Sequence, residues 1–215
     1  LANQWFGNLI MPKEWKDIWL NNAFAQYFAD LYTTKDNSET EYLMYVLPFE
    51  KSNVFSDWNA ANKHPIITNK IKDLASFTSD SYSKYRGALV LRMLQKELGD
   101  ITWWKAIKLY VKTNANKQVT TNDFQKAIER TTGKSYQWFF DQWIYKIGLP
   151  KFEVIKNYNA AKKQLNISVI QKQTKDSISE YRQVAFFKGK IDIEIDNKII
   201  QIDIEPKAIN VFTFS

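Results

Sequence analysis

The hydrophobic period of the chain changes near residue 148, and this change restricts the possible folds more than any other feature. Up to about residue 147, apolar residues recur at spacings of three and four, which is typical of amphipathic helices. After the sequence GLP at 148–150, apolar and polar residues alternate, as they do in strands with one buried face. We therefore predict an α+β protein: a mostly helical block, 1–148, followed by a small antiparallel β-sandwich-like domain, 149–215.

The helical pattern of the first block is interrupted once. It is carried by five segments: 17–32, 85–100, 101–115, 120–134 and 135–148. Two of these helices are predicted to end at a glycine, Gly99 and Gly133, because glycine is common just past a helix C-terminus. Residues 48–80 lack the pattern and contain Pro48 and Pro65, so loop with short helices is predicted there.

The second block contains three alternating segments. They are QLNISVI at 164–170, KIDIEIDNKIIQIDIEP at 190–206 and INVFTF at 209–214. Within the middle segment, DNK at 196–198 predicts the turn of a β-hairpin.

Composition limits the chemistry and the partners. The chain has no cysteine and one histidine, His64, so it cannot build an ordinary structural zinc site alone, and His64 itself is predicted to be a loop residue. The net charge is +7, but the lysines are scattered among acidic residues, which predicts a solvated basic surface and no nucleic-acid partner. No apolar run approaches the roughly 20 residues of a membrane span, so no transmembrane segment is expected.

The first 28 residues contain two motifs that resemble a known active-site segment. The first residues, LANQWFGN at 1–8, are similar to the second half of H-E-L-A-H-Q-W-F-G-N, and WKDIWLNNAFA at 15–25 is similar to W-x-D-x-W-L-N-E-G-F-A. Both belong to the membrane-alanyl aminopeptidase family, zinc metallopeptidases of the gluzincin type, and the passage FFDQWIYKIGLPKFEV resembles its bacterial members. The resemblance implies the C-terminal part of a thermolysin-like catalytic subdomain followed by a β domain.

The same resemblance implies that the zinc site is degenerate. In HExxH, two histidines on one helical face bind zinc and the glutamate between them is the general base; a glutamate on the next helix is the third ligand. By alignment, the first histidine and the general base would precede Leu1, the second histidine falls on Asn3 and the third ligand on Asn22. Zinc is expected in active relatives, and no cofactor is expected in this chain. In place of a metal site, we predict that the two amides hydrogen-bond each other.

The resemblance also assigns positions for substrate binding and for oxyanion stabilisation. Trp19, Asn21 and Ala23 correspond to the family's substrate cleft, although Trp19 also suits core packing. The family's oxyanion tyrosine precedes a glycine by three. An ungapped comparison puts Lys84 at this position, a two-residue insertion would make it Tyr82, and Tyr85 is a third candidate.

Three functions are compatible with these residues. The first is a catalytically inactive aminopeptidase-like protein that binds a peptide or a protein. Alternatively, the chain belongs to an active zinc aminopeptidase whose site is completed by upstream sequence, the asparagines being engineered or misread. A third possibility is a scaffold within a larger assembly. The expected partners are a peptide or protein, the remaining N-terminal domains of the same protein, or another subunit, and a periplasmic or other extracytoplasmic bacterial location is favoured over the cytoplasm.

Overall fold

The protein is α+β, as the change of hydrophobic period predicts. The computed structural model describes residues 2–36, 39–59 and 63–214. It divides into two compact units, Leu1–Tyr145 and Lys146–Ser215. The sequence division at 148/149 differs from this split by three residues (148 against 145), and as a domain assignment it stays a prediction.

The first unit is built from helices around one aromatic core. After a short 3-10 turn, Ala2–Gln4, and a second one, Trp15–Asp17, the described part of this unit contains eight helices: α1 (Trp19–Asp36), α2 (Glu39–Glu41), α3 (Leu47–Asn59), α4 (Leu74–Ser79), α5 (Ser81–Leu98), α6 (Asp100–Asn114), α7 (Thr121–Thr132) and α8 (Gln137–Trp143). A π-helix, Tyr42–Val46, links α2 to α3. Two short strands, β1 (Ile10–Pro12) and β2 (Lys117–Val119), pair in parallel.

The predicted helix ends are confirmed where turn chemistry determines them. Gly99 and Gly133 stand just past α5 and α7 with φ of 77° and 68°, values that a glycine adopts without steric cost. At the start of α7, the backbone N–H of Thr120 donates to the Asp123 carboxylate at 2.8 Å, one half of a capping box. The last helix, α8, ends at Trp143 and is shorter than predicted.

The segment predicted as loop with short helices contains a longer helix, α3, of 13 residues. Pro48 lies in the first turn of α3. If a regular α-helix ran through this position, Pro48 would have no N–H to bond to the carbonyl of Met44, and its ring would clash with that carbonyl. The π-helix absorbs this, because the N–H of Leu47 bonds to the carbonyl of Tyr42, five residues back. Sequence periodicity could not reveal α3, since Phe49 and Phe55 are exposed and no clear apolar stripe remains.

The core of the helical unit is centred on α1. Its buried aromatic residues include Phe24, which stacks on Phe6 at 4.2 Å between ring centroids and meets Phe124 of α7 edge-on at 5.3 Å. Offset-stacked and edge-on pairs at such distances are favourable beyond the apolar area that they bury. The 3-10 turn at the chain start and helix α7 are therefore held against the same helix.

The second unit consists of two antiparallel sheets. One has the strand order β3–β4–β7, with β3 at Phe152–Asn159, β4 at Gln164–Gln171 and β7 at Ile209–Phe214; the other is the hairpin of β5 (Gly189–Ile195) and β6 (Lys198–Ile204). The predicted turn lies at Asp196 and Asn197, whose positive φ values, 50° and 61°, suit a two-residue hairpin loop. The sheets share a small core formed by Ile167 and Val169 of β4 with Ile202 and Ile204 of β6. Strand β3 was not predicted.

Candidate functional site

The two asparagines predicted to occupy the positions of the family's zinc ligands lie at the start of the helical unit. Asn3 is exposed on the first 3-10 turn, and Asn22 is half-buried in the first turn of α1. Gly7 brings the two segments together, because a Cβ atom at Gly7 would be 2.9 Å from the carbonyl oxygen of Asn3 and 3.4 Å from Nδ2 of Asn21. Within the part of the chain that the structure describes, no hydrogen bond joins the side chains of Asn3 and Asn22, so the predicted amide pair is not formed.

The donor atoms near these positions do not fit zinc. Zinc sites in proteins use imidazole, thiolate or carboxylate ligands, whereas an asparagine offers a neutral amide oxygen that binds the ion weakly. Among residues 2–36, 39–59 and 63–214, no three histidine, cysteine, aspartate or glutamate side chains come close enough together to hold a metal ion. We therefore derive no catalytic step through a metal from this chain.

Trp19 and Asp17 connect the start of α1 to the start of α7. Trp19 is buried, and its indole Nε1–H donates to Oγ1 of Thr121 at 2.8 Å. The buried carboxylate of Asp17 accepts from both the backbone N–H and the hydroxyl of Thr121, each at 2.8 Å. The ring of Trp19 is therefore buried and its only N–H is hydrogen-bonded, as is typical of a residue that packs in the core.

Ala23 lies at the closest approach of α1 and α5. A Cβ atom at Gly87 of α5 would be 2.6 Å from the Cβ of Ala23 and 3.3 Å from Cε3 of Trp19. Real Cβ atoms do not approach so closely, so Gly87 is required for this packing.

The three candidates for the oxyanion position differ in their surroundings. Tyr82 is buried, and its hydroxyl accepts a hydrogen bond from the guanidinium of Arg86. Tyr85 is half-buried, with its ring edge-on to Phe49 at 5.6 Å. Lys84 is half-buried too, and its Nζ lies 4.9 Å from the centre of the Tyr85 ring. Lys84 and Tyr85 are the two that solvent reaches, and the assignment among the three stays a prediction.

His64 belongs to a separate polar cluster at the N-terminus of α5. Its Nε2 lies 3.6 Å from Oδ1 of Asp80, and its Nδ1 lies 2.8 Å from the carbonyl oxygen of Pro65. Burial tends to raise the pKa of Asp80, but hydrogen bonds from His64 and Ser83 and the His64 charge outweigh it and hold that pKa below its ordinary value. Asp80 also accepts from the backbone N–H groups of Tyr82 and Ser83, so the cluster caps α5.

Two buried carboxyl groups, Asp30 on α1 and Glu50 on α3, were not recognised from the sequence. Burial raises the pKa of both, and the charge of Asp30 raises the pKa of Glu50 further, to about 8. The repulsion between two buried carboxylates favours a state in which one of them carries a proton. A usable sequence signal existed, since Asp30 continues the buried row of Ala23 and Tyr27 at helical spacing.

An apolar groove of about 1040 Å³ opens beside Asn3, between the chain start, α1 and α6. Its walls include Ala2, Trp5, Phe28, Tyr32, Trp104 and Val111. Trp5 and Tyr32 are 54% and 67% exposed, which is high for large aromatic side chains in a concave surface. Lys108 and Lys112, one turn apart on α6, lie at its margin.

Comparison with known proteins identifies relatives of this chain. The peptidase family M1 domain matches residues 1–143. Probable aminopeptidase 2 of Sulfurisphaera tokodaii is 28% identical over 220 residues, which cover 95% of this chain and 28% of that protein. Tricorn protease-interacting factor F2 of Thermoplasma volcanium is 32% identical over 162 residues, 74% of this chain and 20% of that protein. The chain therefore spans less than a third of the length of these relatives.

A solved structure has the same fold. Aminopeptidase A of Legionella pneumophila, in complex with aspartic acid, matches with a TM-score of 0.71 and 16% identity, covering 99% of this chain and 23% of that one. At this identity the likeness establishes the fold of the chain. In the residues that the structure describes, no helix is both long and apolar enough to cross a membrane.

Proposed function

Because this chain belongs to peptidase family M1, we propose that it is an aminopeptidase-like protein that is catalytically inactive as it stands and that binds a peptide or a protein partner. Asn3 and Asn22 are the observation that supports catalytic inactivity, the first half of this proposal. They replace a histidine and a glutamate by neutral amides, which removes the two ligand types that hold zinc in such sites. The remaining half of the family's HExxH motif would have to come from sequence before Leu1.

The groove beside Asn3 supports the second half of the proposal. A large concave apolar surface on a monomer is characteristic of a binding site for a peptide, a helix or another domain. Trp5 and Tyr32 provide the exposed aromatic surface that anchors such partners. The candidates are the remaining N-terminal domains of the same protein or another subunit. One relative is named a protease-interacting factor, which agrees with protein binding by family members.

Metal content and peptidase activity of the longest natural form of the protein test the first half. We expect no zinc after purification in zinc-containing buffer and no hydrolysis of alanyl or leucyl amides. The alternative, an active zinc aminopeptidase completed by upstream sequence, requires one zinc per chain together with turnover, and that result would overturn the proposal.

The double variant Asn3→His/Asn22→Glu provides the matched positive control. It restores an imidazole and a carboxylate, so we expect its zinc affinity to rise above that of the natural form if the upstream ligands are present. In a form that contains the upstream ligands, equal zinc binding by the natural chain and the double variant would mean that Asn3 and Asn22 do not occupy the ligand positions.

A further inference from the structure

The edge strand of the three-stranded sheet has no buried residue. All eight residues of β3 are exposed, although four of them are large and apolar: Phe152, Val154, Ile155 and Tyr158. Val154 and Tyr158 are 55% and 63% exposed. Strands normally bury one face, and exposed apolar edge strands are templates for pairing with another chain. Strand β3 therefore has the properties of a strand whose neighbour is missing from the single chain.

The hydrogen-bond pattern determines which backbone groups face the open edge. Lys172 donates its backbone N–H to the carbonyl of Lys151, so this pair is a hydrogen-bonded pair of the β3–β4 ladder. Hydrogen-bonded and non-hydrogen-bonded pairs alternate in an antiparallel ladder. Residues 153, 155, 157 and 159 consequently point their backbone groups at β4, whereas those of Phe152, Val154, Lys156 and Tyr158 point outward.

The side chains of the outward-pointing residues share one face of the sheet. They lie opposite the odd-numbered residues of β4, which include the core residues Ile167 and Val169. The outward-pointing residues are Phe152, Val154, Lys156 and Tyr158. The hairpin sheet covers β4 and β7 on this face but leaves the β3 residues exposed. An additional strand beside β3 would bond to its free N–H and C=O groups and would place side chains next to Phe152 and Tyr158.

We propose that β3 pairs antiparallel with β3 of a second copy of this chain, joining two three-stranded sheets into one of six strands. A two-fold axis perpendicular to the sheet places the same face of both copies on the same side. Residues that lie opposite each other must then be both even-numbered or both odd-numbered, because only such residues point their side chains to the same face. Strand chemistry selects one register, in which Ile155 lies on the axis opposite its own copy. In this register Phe152 lies opposite Tyr158, and Val154 lies opposite Lys156.

The neighbouring registers are worse for specific reasons. A shift that centres the axis on Lys156 places two like charges directly opposite each other, which is destabilising. A shift that centres it on Val154 puts Tyr158 opposite Pro150, which has no N–H to donate. The register centred on Ile155 avoids both problems, pairs all four outward-pointing residues and gains two aromatic cross-strand pairs.

A single introduced cysteine tests this register, because the chain has no cysteine of its own. Ile155 would form a non-hydrogen-bonded pair with its copy, with Cα atoms about 4.5 Å apart, a separation that a disulfide can span. We expect the Ile155→Cys form of the 215-residue chain to become a covalent dimer as the main species under mild oxidation. The matched control is Asn157→Cys, on the same strand and face, whose opposite residue would be Glu153 and which should stay monomeric.

A second variant tests the role of the free edge. In Val154→Pro only an outward-pointing N–H is lost, so the β3–β4 ladder is kept while one intermolecular hydrogen bond per copy, two per dimer, is removed. Sedimentation should detect a concentration-dependent dimer for the natural chain, and a weaker one for Val154→Pro at an unchanged melting temperature. A monomeric Ile155→Cys form, or equal cross-linking of Asn157→Cys, would overturn the proposal, as would pairing of β3 with another part of a longer chain or with a different protein.

Discussion

Asp30 and Glu50 bring two carboxyl groups together in the interior of the helical unit, where two negative charges would repel each other strongly. The amide of Gln26 donates to Asp30 at 2.8 Å, which favours the charged form of Asp30. Burial and the charge of Asp30 raise the pKa of Glu50 to about 8, so the pair binds a proton at neutral pH. The pair titrates as a unit, and its protonation links the packing of α1 and α3 to pH.

The sign of this linkage follows from the raised pKa. The ordinary pKa of Glu50 is 4.5 and its folded value is about 8, so the folded protein binds the proton more tightly than the unfolded chain. This contribution to stability is fully present below pH 4.5 and is lost as the pH rises to about 8, at up to about 1.4 kcal/mol per pH unit. We expect Glu50→Gln, which keeps the size of the side chain but has no titrating proton, to lose this slope.

Urea unfolding at a series of pH values between 5 and 9 measures the effect. The stability of Glu50→Gln relative to the natural chain should rise with pH up to about 8 and level off above it. Glu153→Gln serves as the control, because Glu153 lies on the exposed strand β3, and its stability curve should run parallel to that of the natural chain. Parallel curves for Glu50→Gln as well would mean that Glu50 is not protonated in the folded protein.

At the scale of secondary structure, the contact between α1 and α5 depends on the small residues Ala23 and Gly87. We expect Gly87→Ala to destabilise the protein by about 1–2 kcal/mol, although alanine by itself favours a helix by about 1 kcal/mol over glycine. The reason is the 2.6 Å approach of the new methyl group to the Cβ of Ala23, which would force the helices apart.

Thermal unfolding of a double variant checks this explanation. Ala23→Gly removes the methyl group on the other side of the contact, so the pair Ala23→Gly/Gly87→Ala should recover most of the stability lost by Gly87→Ala alone. A Gly87→Ala protein as stable as the natural chain, or a double variant with no recovery, would contradict the packing argument.

The elements that the sequence predicts are those with one buried face. Helix α7 and strands β4 to β7 show clear periods because Phe124 and Ile128, or Ile167 and Val169, recur toward one core. Helix α3 and strand β3 escape prediction because their apolar residues are exposed on several sides, so no period appears. The site divides in the same way: the positions of Asn3 and Asn22 follow from local motifs, whereas the Asp30–Glu50 pair depends on a contact between segments that no local pattern encodes.

At the scale of the whole molecule, the chain covers 28% and 20% of two relatives' length, so the activity and partners of the complete protein remain proposals. The groove beside Asn3 and the open strand β3 lie in different units. The two surfaces can therefore be tested separately, the groove by changes in the helical unit and the strand by changes in the β unit.

The groove predicts that the isolated 215-residue chain has accessible apolar surface. We expect it to bind an apolar fluorescent dye and to associate with a partner or with itself, because Trp5 and Tyr32 expose more than half of their surface. Replacing both by serine should reduce dye binding at an unchanged melting temperature, since neither side chain is buried. Ile178→Ser is the control: Ile178 is 92% exposed, belongs to the β unit and does not line the groove, so its replacement should leave dye binding as it is. A monomeric chain that melts cooperatively and binds no dye would remove the basis for assigning a partner to this groove.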